Sequence, residues 1–248
     1  MLGTFRSELF KMTTTRATKV LLGFAVLLPV VIYTLTLFFA FDGGVMESPA
    51  VVSIAPMAPL VALLLGVVGV MCATQEYSQG TIRITLVATP NRKRIYAAKL
   101  LTTLFISVVS TTVLLVLCLI GSQIILNVRG IRFELIGNDG RIILSFFLLI
   151  AVVSLFGLSL GLIFKSGPGA ISAVLLWPTI VETIIFGLLS AVTFNNFFNW
   201  APIQNGFQLV SEFQLGDNNS WSTSALVFCG FVAVFVVAGA TLFTKRDA

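Results

Sequence analysis

Long uncharged runs alternate with short charged segments along this chain, and the runs have the length of a membrane crossing. Stretches free of Asp, Glu, Lys and Arg cover 20–41, 48–75, 100–128, 142–164, 183–211 and 218–244. A helix needs about 20 mostly apolar residues to cross the hydrocarbon core, and five of these stretches hold a whole crossing as they stand. The fifth is different. Residues 166–181 are uncharged, Glu182 interrupts, and the chain turns rich in Asn and Phe after about 193. The pattern predicts six helices at about 20–41, 51–74, 100–126, 142–164, 170–192 and 223–243. Helices satisfy their own backbone in lipid and an open sheet does not. The alternation of an outer-membrane barrel is missing. The expected fold is an all-α membrane protein, with one transmembrane domain over residues 1–248.

Before the first crossing, Leu2, Phe5, Leu9 and Met12 share one face at spacings of three and four, while Arg6, Glu8 and Lys11 fall on other faces. Such a helix can lie in the headgroup layer, apolar side down; a short basic anchor that only fixes topology is the simpler alternative. The first crossing is expected to be retained. Its apolar core exceeds that of a signal peptide, and no clear A-x-A cleavage site follows.

Composition strengthens the membrane reading. The chain is 57% hydrophobic and 10% charged, with a mean hydropathy of +1.04. A soluble domain carries about a quarter charged residues. There is no histidine, which removes Ser-His-Asp catalysis and histidine metal sites. Cys72, Cys118 and Cys229 lie far apart in apolar stretches and read as small apolar fillers.

Charge sets an orientation. Twelve of the 15 basic residues fall on one side of the six crossings, leaving Arg129, Arg132 and Arg141 for the other. Asp42, Glu47, Glu134, Asp139, Glu212 and Asp217 share that other side. The positive-inside rule then predicts cytoplasmic N- and C-termini in a cell membrane. The basic excess is explained by topology, so no nucleic-acid partner is implied.

The connection from Gln75 to Lys99 is far longer than a helix hairpin requires. Gly80 permits a bend, and Thr81 can cap a helix starting near Ile82. Ile82, Leu86 and Val87 would form its apolar face. Pro90 disfavours helix at Thr89, so Thr89-Pro90-Asn91 reads as a turn. Arg92, Lys93 and Arg94 then lead back to the membrane. A short helix on this face is something a soluble partner could grip; a basic loop that only obeys the charge rule is the alternative.

These residues carry a resemblance. Glu76-Tyr77-x-x-Gly80-Thr81-Ile82-Arg83, then Leu86-x-Ala88-Thr89-Pro90, Arg92, Arg94 and Ala98-Lys99-Leu100, closely resemble permease subunits of the type-2 ABC exporter family. In that family an E-[YF]-x-x-G-T-[IVL] signature follows the second crossing. The likeness covers the whole chain in hydropathy and residues 76–100 in sequence. It implies a cytoplasmic coupling helix that docks a separate ATPase subunit, with Glu76, Tyr77, Gly80, Thr81, Ile82 and Arg83 at or beside the contact. It also implies a second permease, identical or sister, in the same bilayer. ATP and Mg would be cofactors of the ATPase and not of this chain, which has no G-x-x-x-x-G-K-[ST] phosphate loop. The chain is accordingly expected to transport and not to be an enzyme itself.

Glu182 follows Trp177-Pro178 inside the fifth crossing, where a charge is costly. It is a candidate for the translocation path, or else a structural carboxylate bonded to a neighbouring helix. Phe194, Phe197, Phe198, Trp200 and Phe207, interleaved with Asn and Gln, suggest an interfacial segment before the last crossing, which by resemblance would contain short re-entrant helices. Gly157 and Gly161 make a G-x-x-x-G that allows close helix contact. Two other functions compete. An ion- or proton-driven carrier usually shows internal repeats, and none is evident. A membrane hydrolase would need an acid pair or a Ser-Lys dyad.

Overall fold

The computed structural model describes residues 2–40, 50, 52–131, 140–193, 197–210 and 220–245. The protein is an all-α, multi-pass membrane protein, and among the described residues six helices are long and apolar enough to cross a bilayer. Helix α1 (Leu2–Thr14) precedes the first crossing, α2 (Arg16–Ala40). A 3₁₀ turn at Val52–Met57 leads into α3 (Ala58–Ser78), and short α4 (Ile82–Ala88) connects it to α5 (Arg92–Val128). Helix α6 (Gly140–Phe164) is the fourth crossing. The fifth consists of α7 (Gly167–Leu176), a π turn at Trp177–Val181 and α8 (Glu182–Thr193). A 3₁₀ turn (Phe197–Trp200) and short α9 (Pro202–Gln208) precede the last crossing, α10 (Trp221–Lys245). All six predicted crossings are present. The third begins earlier than the apolar run does: α5 is continuous from Arg92 and its 37 residues span about 55 Å.

Helices α3 and α6 form the centre, and small residues bring them together. A Cβ on Gly157 would collide with the Gly66 carbonyl, and one on Gly69 with the Ser154 carbonyl. A Cβ on Gly161 would come within 2.7 Å of the Ala73 Cβ. The G-x-x-x-G of α6 therefore serves contact within the chain, against a matching G-x-x-G on α3. Helices α5, α7 and α10 surround this pair. Phe156, Trp177, Phe231 and Phe235 cluster between α6, the π turn and α10, with ring centroids 5.0–6.3 Å apart.

The connecting turns are built from local chemistry. Gly80 has φ +67°, and the amides of Gly80 and Thr81 bond the carbonyls of Tyr77 and Glu76. That pair of bonds is a Schellman motif, which requires a left-handed residue at this place. Gly130, at φ +68°, ends α5 in the same way. Asn91 caps α5 by accepting from the Arg94 amide at 3.2 Å. Thr89 is extended, as the following Pro90 requires. Pro178 lies within the π turn, consistent with a loosened backbone there. The three cysteines are free thiols, Cys72 and Cys118 buried and Cys229 partly so.

Candidate functional site

At one end of the bundle, α1, α3, α4 and α5 meet around four charged side chains. Lys99 on α5 is 1% exposed, and its Nζ lies 2.7 Å from Glu8 Oε2 and 2.9 Å from Glu76 Oε2. It also donates to the Cys72 carbonyl at 3.0 Å. Lys11 completes the set from α1, with its Nζ 2.7 Å from Glu8 Oε1 and 2.6 Å from Glu76 Oε1. Each ammonium therefore bridges both carboxylates. The four charges sum to zero, which is what makes their burial tolerable. Helix α4 joins through Thr85, whose hydroxyl donates to Glu76 Oε1 at 2.8 Å. Gln75 donates to Thr18 at 2.8 Å and ties α3 to α2.

Beside the network lies a 180 Å³ cavity lined in part by Lys11, Gln75, Glu76, Gln79 and Thr81. Lys11 is the half-exposed member. Burial pushes its ammonium down, but hydrogen bonds to Glu76 and Glu8 outweigh that and hold its pKa above the ordinary lysine value of 10.5.

The residues singled out in the sequence take different places. Glu76 is the acid that connects α4 to the network. Tyr77 lies under Lys165 of the α6–α7 turn, the ammonium 5.6 Å from the ring centroid. Gly80 forms the left-handed turn, Ile82 is buried, and Arg83 is exposed. Thr81 departs from expectation: it occupies the N-cap position, but its side chain makes no capping bond. Its backbone is helical rather than extended, because its amide is already committed to the Schellman turn. The apolar face of α4 also needs correction. Ile82 and Leu86 face the core, whereas Val87 is 84% exposed and, with Ile84 at 70%, forms an outward apolar pair.

Sequence reasoning missed Glu8, Lys11, Thr85 and Lys99 as partners of Glu76. Glu8 falls off the apolar stripe of α1, yet α1 buries Glu8 and Met12 and leaves Leu2 exposed. The requirement of Lys99 for a counter-charge overrides the apolar stripe. Glu8, Glu76 and Glu182 are all deep acids, each 4% exposed or less. One signal could have found them. Acids are scarce among the basic residues of this end, and a lysine seven residues into a helix headed for lipid needs one.

Glu182 lies elsewhere, at the start of α8. Its Oε1 accepts from the Trp177 indole at 3.2 Å and the Ile203 amide at 2.9 Å; its Oε2 accepts from Ile203 at 3.1 Å and Gln204 at 3.0 Å. These amides are orphan donors of the first turn of α9, so Glu182 caps α9 across a gap of 21 residues. Gln204 returns a bond to the Pro178 carbonyl at 2.8 Å. This geometry matches the structural alternative for Glu182, a carboxylate bonded to a neighbouring helix. Helix α9 packs on α10, with Gly206 against the Phe228 ring. Phe194 and residues 211–219 of the proposed interfacial segment lie outside the described residues, as do Asp42, Glu47, Arg132, Glu134, Asp139 and Arg246.

Fold and charge network together define a multi-pass helical membrane protein with a buried ion cluster at one end. The chain belongs to the family described as "Protein of unknown function (DUF2705)", whose model matches residues 37–248. The match contains Glu76, Lys99 and Glu182, and α1 lies outside it. No curated protein matches the chain.

Proposed function

We propose that this chain is the membrane permease subunit of an ATP-driven exporter of the type-2 ABC kind, and that α4 is the helix gripped by a separate ATPase. One observation carries the reading: α4 is anchored on its inner face and bare on its outer face. Inside, Ile82 and Leu86 pack on the core and Thr85 holds Glu76. Outside, Ile84 and Val87 are exposed next to Arg83. An apolar pair beside a cation at the end of a bundle suits a protein partner. A push on α4 would pass through Glu76 to α3 and α5, and through Glu8 and Lys11 to α1. In this reading that end faces the cytoplasm of a cell membrane, ATP and Mg are bound by the partner, and a second permease completes the path.

The test is capture of the tagged full-length chain from its native membrane, followed by identification of any co-purifying protein with a phosphate loop. Ile84→Asp with Val87→Asp should lower capture at least tenfold, as expected for loss of central apolar contacts. Reconstituted transport that needs no nucleotide and follows an ion gradient would instead favour the carrier alternative.

A further inference from the structure

We propose that the groove between α1 and α5 binds a phospholipid with an anionic headgroup, its acyl chain lying along the groove and its phosphate held by Arg6 and Arg94. This does not depend on the exporter reading. The groove has a volume of 430 Å³ and is lined by Leu2, Phe5, Leu101, Leu104, Phe105 and Val108. No polar side chain lines it. Phe5 packs edge-on against Phe105, centroids 6.0 Å apart, and ties α1 to α5. Leu2, Leu101, Phe105 and Val108 remain 79%, 50%, 49% and 44% exposed. The same side of α5 continues into the exposed residues Val109, Val116 and Ile120. The groove is thus continuous with an apolar surface that faces lipid in a membrane protein.

Charge selects the kind of lipid. Arg6 follows Phe5 and lies one turn beyond Leu2 on α1. Arg94 precedes Leu101 by two turns on the same face of α5, about 10 Å along the axis. Both are exposed, and no carboxylate among the described residues pairs with either. The nearby lysines differ, since Lys11 and Lys99 are neutralised by Glu8 and Glu76. Both oxygens of Glu8 are occupied by these lysines, so its charge is already balanced toward an incoming anion. Two free guanidinium groups flanking a wholly apolar groove match an amphiphile with an anionic phosphate head. Arg side chains also reach the interface while their stems cover apolar surface.

Native mass spectrometry of the purified full-length protein tests this with phosphatidylglycerol and phosphatidylcholine of matched acyl chains. Wild type should retain phosphatidylglycerol at least fivefold better. Arg6→Gln with Arg94→Gln should bring its retention down to the phosphatidylcholine level. Leu104→Trp, which fills the groove, should lower retention of both lipids. Equal retention of the two lipids by wild type would overturn the headgroup assignment. Undiminished binding to a folded Leu104→Trp protein would overturn the groove. Loss of a dimer mass in that variant, with lipid retention unchanged, would show that a second copy of the chain occupies it. The arginine variants alter exposed groups only, so they test the headgroup assignment even if Leu104→Trp fails to fold.

Discussion

Glu76 and Glu182 are both buried carboxylates in a lipid-solvated chain, yet they are compensated by different means. Glu76 shares two ammonium groups with Glu8 in a neutral four-charge cluster. Glu182 meets no cation among the described residues and is held by one indole and two backbone amides. The first arrangement joins α1 to α3 and α5 across sequence separations of 65 and 91 residues, and reaches α4 through Thr85. The second joins one break in a helix to the short helix that follows it. A cluster of full charges is strong only while complete, because each member depends on the others to offset its desolvation. Neutral donors fail one at a time and locally.

The largest effect should follow from breaking the cluster at its most buried member. Lys99→Met leaves two carboxylates facing the single ammonium of Lys11, and should cost about 3–5 kcal/mol, read as a lowered unfolding midpoint in detergent. Adding Glu8→Gln should restore part of the loss, since it removes the surplus charge. Additivity of these two substitutions would show that the cluster is not coupled. Glu8→Gln with Glu182→Gln should by contrast be additive within about 0.5 kcal/mol, because the sites share no partner. At the other site, Glu182→Leu strands the Ile203 and Gln204 amides and the Trp177 indole. Its expected cost is smaller, about 1–3 kcal/mol, and local: hydrogen exchange should accelerate in α9 and stay unchanged in α4.

The two sites also differ in how far the sequence reveals them. The crossings were readable because lipid imposes one simple demand, a charge-free run of fixed length, and all six are present. The Gly80 turn and the extended Thr89 were readable because each follows from steric rules acting on one or two residues. Glu182 stood out as a charge inside an apolar run, but its partners are backbone amides, which any residue supplies and no letter marks. The partners of Glu76 are side chains, and they were missed for another reason. Lys99 looked like one more cation in a basic segment, and Glu8 looked like the polar side of an interfacial helix. Only the packing of α1 against α5 brings residues 8, 11, 76 and 99 together. Pairing of this kind is tertiary and leaves no spacing to count. The α3–α6 contact shows the same limit: G-x-x-x-G was visible in the sequence, but which helix it would meet was not.

A smaller effect tests the turn that carries Glu76 toward α4. A Cβ on Gly80 would meet no atom within 4 Å, so Gly80→Ala faces no steric clash with neighbours. The cost is conformational, about 1–2 kcal/mol for an L-residue held in the left-handed region. The midpoint should fall modestly, and α4 should exchange faster while α9 does not change. If α9 responded as much as α4, the ion cluster and the Glu182 site would not be independent.

The smallest effect concerns pH, and only the ion cluster should contribute to it through a lysine. Lys11 has a folded-state pKa above 10.5 because its bonds to Glu76 and Glu8 outweigh the opposing effect of burial. A base whose pKa rises on folding contributes stability that is fully present below its unfolded value. That contribution is lost as pH climbs through the folded value. Stability owed to Lys11 should therefore be flat from neutrality to about pH 10 and decline above it. Lys11 is partly exposed, so solvent screening keeps the effect modest. Comparing wild type with Lys11→Met isolates it: their difference in unfolding midpoint should shrink as pH climbs above about 10. A difference that stayed constant across that alkaline range would show that the Lys11 ammonium draws no stabilisation from its bonds to Glu8 and Glu76.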